Sequence, residues 1–163
     1  FYAQGRFFEA EEVIELTSIT RAQMPDVVLS VTVPHALPLD QQAQLALDLV
    51  NAGADIIQTE GGKSSKPFSS GHLGLIEKAA PTLAAVHSIS ETFKKEGVSI
   101  PVLCSSGLSS VTIPMAIASG ASGVGVGSVV NKLNNEISMV AVVKGLREAM
   151  SKNQLTIASF GKQ

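Results

Sequence analysis

Residues 100–130, IPVLCSSGLSSVTIPMAIASGASGVGVGSVV, constrain the fold more than any other stretch. They read as strand, Ser/Gly turn, short helix, strand and Gly-Ser turn. Strands joined through a helix run parallel, and such a crossover in one sheet is right-handed. A parallel sheet is covered by helices, so its strands are apolar runs. Composition agrees: 45% of the 163 residues are hydrophobic but only 4% aromatic, the filling being Val, Ile, Leu and Ala.

The alternation continues upstream and downstream. Glu9, Glu11 and Glu12 ahead of Val13, Ile14, Leu16 and Ile19 predict a helix over 9–23, with acid at its positive end and a stop before Pro25. Residues 26–33 (DVVLSVTV) predict a strand, and 39–52 a helix closed by Gly53. Residues 55–60 (DIIQTE) predict a second strand, ending in Gly61-Gly62 and followed by a long polar loop, 63–72. A short helix over 73–79 and a longer one over 81–96, opened by Pro81 and closed by Gly97, come next. Strands over 102–105 and 123–127 flank a helix over 111–119; a closing helix spans 131–152, and 153–163 carry no strong pattern. AGADII (52–57) and SGASGV (119–124) echo each other as helix end, glycine and strand.

One helix followed by four strand–helix pairs fits two architectures, an open doubly wound sheet or half of a (β/α)8 barrel, which normally takes about 250 residues. A leading helix with no strand before it favours the second. The expected fold class is therefore α/β, the C-terminal half of a TIM barrel, with 1–163 a single partial domain. The first residue is Phe, and FYAQGR reads as neither signal nor transit peptide, as expected of a fragment or a processed chain. Half a barrel exposes two strand edges and uncovered apolar faces, so self-association of these 163 residues is expected.

Several function classes are disfavoured. Net charge is −2, with no basic stripe for nucleic acid or an anionic membrane, and no run of 18 apolar residues. The single cysteine, Cys104, excludes an internal disulfide and suits packing better than catalysis. His35, His72 and His87 show no metal-ligand spacing. No lysine falls in a predicted strand, so a Schiff-base lysine of the barrel kind is not expected. GVGVG is a strand rather than a dinucleotide turn, and no GK[ST] occurs.

Ligands gather where parallel strands end. At the last two exits stand Ser105-Ser106-Gly107 and Gly125, Gly127 and Ser128. Glycine lets amides approach an oxyanion and a helix N-terminus favours anions, so these residues are the phosphate candidates; ordinary tight turns are the alternative. Ser109, Ser110 and Thr112 can cap the next helix or contact phosphate. At the first two exits Glu60, Thr32 and His35 are the candidates for acid/base or recognition chemistry, with a mouth ion pair to Lys63 as the plain alternative for Glu60. Along the strands Ser30 and Thr32 share a face, Gln58 and Glu60 share one with Ile56, and the glycines of 123–127 oppose Val124 and Val126.

The segments FYAQGRFFEAEEV, LSVTVPH, GADIIQTEGG, GLIEKAAPTLAA, PVLCSSGL and GVGVGSVVNKL resemble the hypothetical chloroplast reading frame twenty-three family of plastids and cyanobacteria over nearly the whole chain. The resemblance implies a barrel of the phosphate-binding kind and a plastid setting, or the cytoplasm in a cyanobacterium. It also implies that roughly the first third of the usual chain is absent here, and it supplies no catalytic residues. At a greater distance the last two strands are similar to those of flavin mononucleotide (FMN) and sugar-phosphate barrels. The expectation is thus a barrel that binds a small phosphorylated ligand, as enzyme or sensor; an FMN-binding barrel and a non-catalytic scaffold are the alternatives.

Overall fold

The computed structural model describes residues 5–61 and 66–158. Residues 62–65, which include Lys63 and the start of the long polar loop, lie outside the described residues. In chain order the elements are α1 (Ala10–Gln23), β1 (Ser30–Thr32), α2 (Leu39–Asn51), β2 (Ile56–Gln58), α3 (Gly71–Glu96), β3 (Val102–Ser105), α4 (Ile113–Ala118), β4 (Gly123–Gly125), α5 (Ser128–Asn131) and α6 (Glu136–Ala158). The four strands form one parallel sheet in the order β1-β2-β3-β4. A doubly wound sheet reverses its strand order at a switch point, whereas a β/α barrel lays successive strands side by side. The observed order is the barrel's.

The register fixes the two faces of the sheet. Ser30 pairs with Ile56, Thr32 with Gln58, Gln58 with Leu103, and Leu103 and Ser105 with Gly123 and Gly125. Ile57 pairs with Val102 and Cys104 with Val124 on the other face. That second face is buried against Leu45, Leu49, Val86, Ile89 and Ile113 of the helices. The first face is mostly hydroxyl, amide and glycine, and it is the side on which a ligand can sit. Exposed apolar side chains stand on the helices, at Leu16 and Ile19 of α1 and Ile137, Val140 and Val143 of α6, and on connecting segments, at Phe7, Val27, Val28 and Phe68.

Six expected boundaries are corrected. β1 spans three residues instead of 26–33, because Arg21 claims the carbonyls of Met24, Pro25 and Val27 and bends that segment away from the sheet. β2 and β4 are also shorter than their apolar runs. Pro81 does not open a second helix; it lies inside the continuous α3, whose C-cap is Gly97 at φ 68° as expected. The closing helix starts at Glu136 rather than Asn131. Asn135 caps it, its Oδ1 accepting the Ser138 amide at 3.1 Å, and the short α5 precedes it. Finally, α6 continues to Ala158 through residues with no strong sequence pattern.

Candidate functional site

The strand exits border a cavity of about 740 Å³. Thr32 comes from β1, Glu60 from just beyond β2, Ser105, Ser106 and Gly107 from the end of β3, and Gly125, Gly127 and Ser128 from the end of β4. Eight of the nine residues named at the strand exits thus line one cavity, and so does Ser109, while Ser110 and Thr112 do not. The ninth, His35, is bonded to Glu60.

A ring of hydrogen bonds holds the end of β3. The Ser105 amide donates to Thr59 Oγ1 at 3.1 Å, Thr59 Oγ1 lies 2.6 Å from Thr82 Oγ1, and Thr82 Oγ1 donates to the Ser105 carbonyl at 2.7 Å. With the Thr82 proton so placed, Thr59 is the donor between the hydroxyls, and each hydroxyl gives one bond and receives one. Both threonines are fully buried, so the ring clamps β2 and α3 onto the residue where β3 ends. Neither was singled out in the sequence. A lone Thr in a strand and another after a proline carry no signal until the fold brings them together.

Ser105's own hydroxyl is buried and has no partner among the described residues. It occupies the place that a Cβ on Gly125 would take, which is why this strand position is glycine. A buried hydroxyl without a partner costs about 1–3 kcal/mol, and the chain carries that cost at the residue where β3 ends.

Ser106 and Gly107 follow with φ of 78° and 74°. The left-handed region costs a residue with a Cβ about 1–2 kcal/mol, and Ser106 is the only non-glycine in it among the described residues. At Gly107 a Cβ would come within 2.9 Å of the Lys78 carbonyl oxygen. The turn therefore lies against α3, and the amides of Gly107 and Leu108 have no acceptor among the described residues. Thr112 is corrected as a phosphate contact: it is fully buried and holds the turn, accepting the Ser109 amide at 2.9 Å. Lys78 of α3 and Lys132, just after α5, line the same cavity. Neither was singled out in the sequence, where lysines were considered as strand residues and, at Lys63, as a partner for Glu60.

On the opposite flank the His35 amide donates to Glu60 Oε2 at 3.2 Å, and the His35 ring Nδ1 approaches the same oxygen at 2.6 Å. A carboxylate only accepts, so the ring proton lies on Nδ1. The side chains are 18% and 26% exposed. A Cβ on Gly61 would come 2.8 Å from Ser106 Cβ, so the end of β2 is packed directly on the β3 turn. Cys104 points the other way, into the helices; burial pushes its thiol above the usual range, and it does not line this cavity. His72 and His87 are exposed on α3. Among the described residues no group of three His, Cys, Asp or Glu is placed to hold a metal ion.

Fold and site together define a parallel α/β protein of barrel strand order, whose strand exits converge on a polar Gly/Ser cavity with a carboxylate–imidazole pair on one side. A family model described as a protein of unknown function, DUF561, matches residues 1–156, and the chain belongs to that family, the Ycf23 family. Relatives titled "Uncharacterized protein ycf23" are 37% identical over 154 residues in Pyropia yezoensis, 40% over 154 in Porphyra purpurea and 41% over 139 in Cyanophora paradoxa. The matches cover 94%, 94% and 85% of this chain but 55%, 56% and 55% of those proteins. The chain spans about half the length of the curated relatives it matches, so more lies outside the match than the third implied by the resemblance. Among solved structures, the YdjI aldolase from Escherichia coli K12 is similar at TM-score 0.49 and 19% identity, over 91% of this chain and 56% of that one. No described helix is long and apolar enough to cross a membrane.

Proposed function

We propose that the cavity binds the phosphate group of a small phosphorylated molecule at the exits of β3 and β4. The observation that carries this reading is the buried, unpartnered hydroxyl of Ser105 at the junction of two Gly/Ser turns that open into one cavity. The open amides of Gly107 and Leu108 and the ammonium groups of Lys78 and Lys132 supply the donors and the charge that an oxyanion requires. Glu60, held by His35, stands at the other end as the group that recognises or acts on the rest of the ligand. A plastid setting accompanies the proposal, in keeping with the algal relatives. FMN is the second ligand reading; a yellow purified protein with flavin absorbance would select it.

Gly127 offers a clean test. Its φ of −123° is open to any residue, and nothing lies within 4 Å of where its Cβ would be. Gly127→Asp therefore adds a negative charge beside the cradle without a clash. Inorganic phosphate is expected to raise the melting temperature of the intact wild-type protein saturably, by the linkage of binding to folding, and chloride at equal ionic strength is not. Gly127→Asp is expected to melt as wild type without phosphate and to lose the phosphate shift. A wild type that phosphate leaves unmoved, or a variant that keeps the full shift, would sink the reading.

A further inference from the structure

We propose that the ligand is a short polyhydroxylated phosphate monoester of three to five carbons, its phosphate in the cradle and its far hydroxyls bonded to Glu60 and Thr32. This rests on the phosphate reading and adds the class of molecule. The cavity has two poles of opposite charge. Lys78 and Lys132 stand with the Gly/Ser turns, and Glu60 stands at the end of β2. A dianionic phosphate is drawn to the first pole and repelled by the second, so the site admits the ligand in one orientation.

The spacing sets the length. Neighbouring strands lie about 4.8 Å apart, which puts the exit of β2 one to two spacings, about 5–10 Å, from the exits of β3 and β4. An extended chain advances about 3.8 Å for every three bonds. From phosphorus to the terminal oxygen is then about five bonds in a three-carbon phosphate and about seven in a five-carbon one, or roughly 6–9 Å. A phosphate ion is held off the Glu60 end by like charge, so it engages only the first pole.

The lining sets the chemistry. Thr32 and Gln58 are on the open face of the sheet at the Glu60 end, so a hydroxyl, an amide and a carboxylate converge there. A carboxylate selects donors, which identifies hydroxyls as its partners. His35 is a positioning residue: its amide and ring fix one Glu60 oxygen, and so the direction in which the carboxyl group faces.

Calorimetric titration of the intact protein with inorganic phosphate, glycerol 3-phosphate, ribose 5-phosphate and FMN tests this. The two short esters are expected to bind at least about tenfold more tightly than phosphate, the increment of one charge-assisted hydrogen bond. Glu60→Gln is expected to erase that advantage while leaving phosphate binding unchanged or tighter, since it removes a repelling charge. A merely structural role for Glu60 would weaken every ligand together. If Glu60→Gln fails to fold, Thr32→Val keeps the test, because Thr32 is exposed on the open face. Its expected effect is a smaller loss of ester affinity at constant phosphate affinity. Esters that bind no better than phosphate, an ester preference that survives both substitutions, or FMN outbinding both esters would overturn the proposal while leaving the phosphate cradle standing. Absence of binding by all four would overturn the cradle too.

Discussion

Arg21→Ala is expected to cost about 3 kcal/mol of folding stability, read as a lower urea midpoint at an unchanged slope. The guanidinium donates to the Gly53 carbonyl from Nε at 2.9 Å and from Nη2 at 2.7 Å, and from Nη1 to the carbonyls of Pro25 at 2.9 Å and Val27 at 2.8 Å. It also pairs with the Asp55 carboxylate. One side chain thus joins α1, the bend before β1 and the turn before β2. Among the described residues the carbonyls of Gly53, Pro25 and Val27 accept no other hydrogen bond, and charged hydrogen bonds contribute about 1.5–3 kcal/mol apiece before exposure discounts them. The side chain is 23% exposed and its Asp55 partner 48%, so most of the effect lies in the carbonyl contacts and little in the ion pair. Lysine cannot reproduce the fork, so Arg21→Lys is expected to recover less than half. A loss below about 1 kcal/mol would contradict this account of the bend.

The pH dependence of that corner follows. The Leu29 amide, then the Arg21 side chain, hold the Asp55 carboxyl below its usual range. A group lowered in the folded state contributes stability above its unfolded value, near pH 4, and loses it as acid protonates the folded form. The difference between wild type and Arg21→Ala is therefore expected to be full at neutral pH and to narrow below about pH 4.

Gly107→Ala is expected to cost about 2–3 kcal/mol and to abolish the phosphate shift. The left-handed backbone, φ 74°, accounts for about half, and the approach of the new Cβ to the Lys78 carbonyl at 2.9 Å for the rest. Neither can relax without parting the turn from α3, which moves the open amides and Lys78 together. The neighbouring residue predicts the opposite sign. Ser106 pays for φ 78° with a side chain, so Ser106→Gly is expected to stabilise the fold by about 1 kcal/mol. Thermal melts of the two variants, with and without phosphate, check both. Gly107→Ala melting as wild type would mean that the turn is free to move.

Much of the fold was legible because it depends on local patterns. Alternating apolar runs located every strand, and Gly53 and Gly97 marked the helix ends where they were expected. The alternation along each strand separated the helix side from the open side, as the register bears out. What failed was set by distant partners. The segment 26–29 has strand propensity, but Arg21 holds the Val27 carbonyl within it and the Met24 and Pro25 carbonyls just before it. Pro81 resembles a helix start, yet α3 runs through it. In the site, glycines and serines at strand ends announce themselves, since a turn needs them. Thr59, Thr82, Lys78 and Lys132 do not, because their role exists only once α3 and α5 pack beside the strand exits.

The most direct measurement is a crystal structure of the intact protein with glycerol 3-phosphate at saturating concentration. The account predicts tetrahedral density within hydrogen-bond distance of the Gly107 amide and the Ser105 hydroxyl, between the exits of β3 and β4, with the glycerol end turned toward Glu60. Phosphate bound at any other place on the molecule, with this cavity holding only solvent, would contradict it.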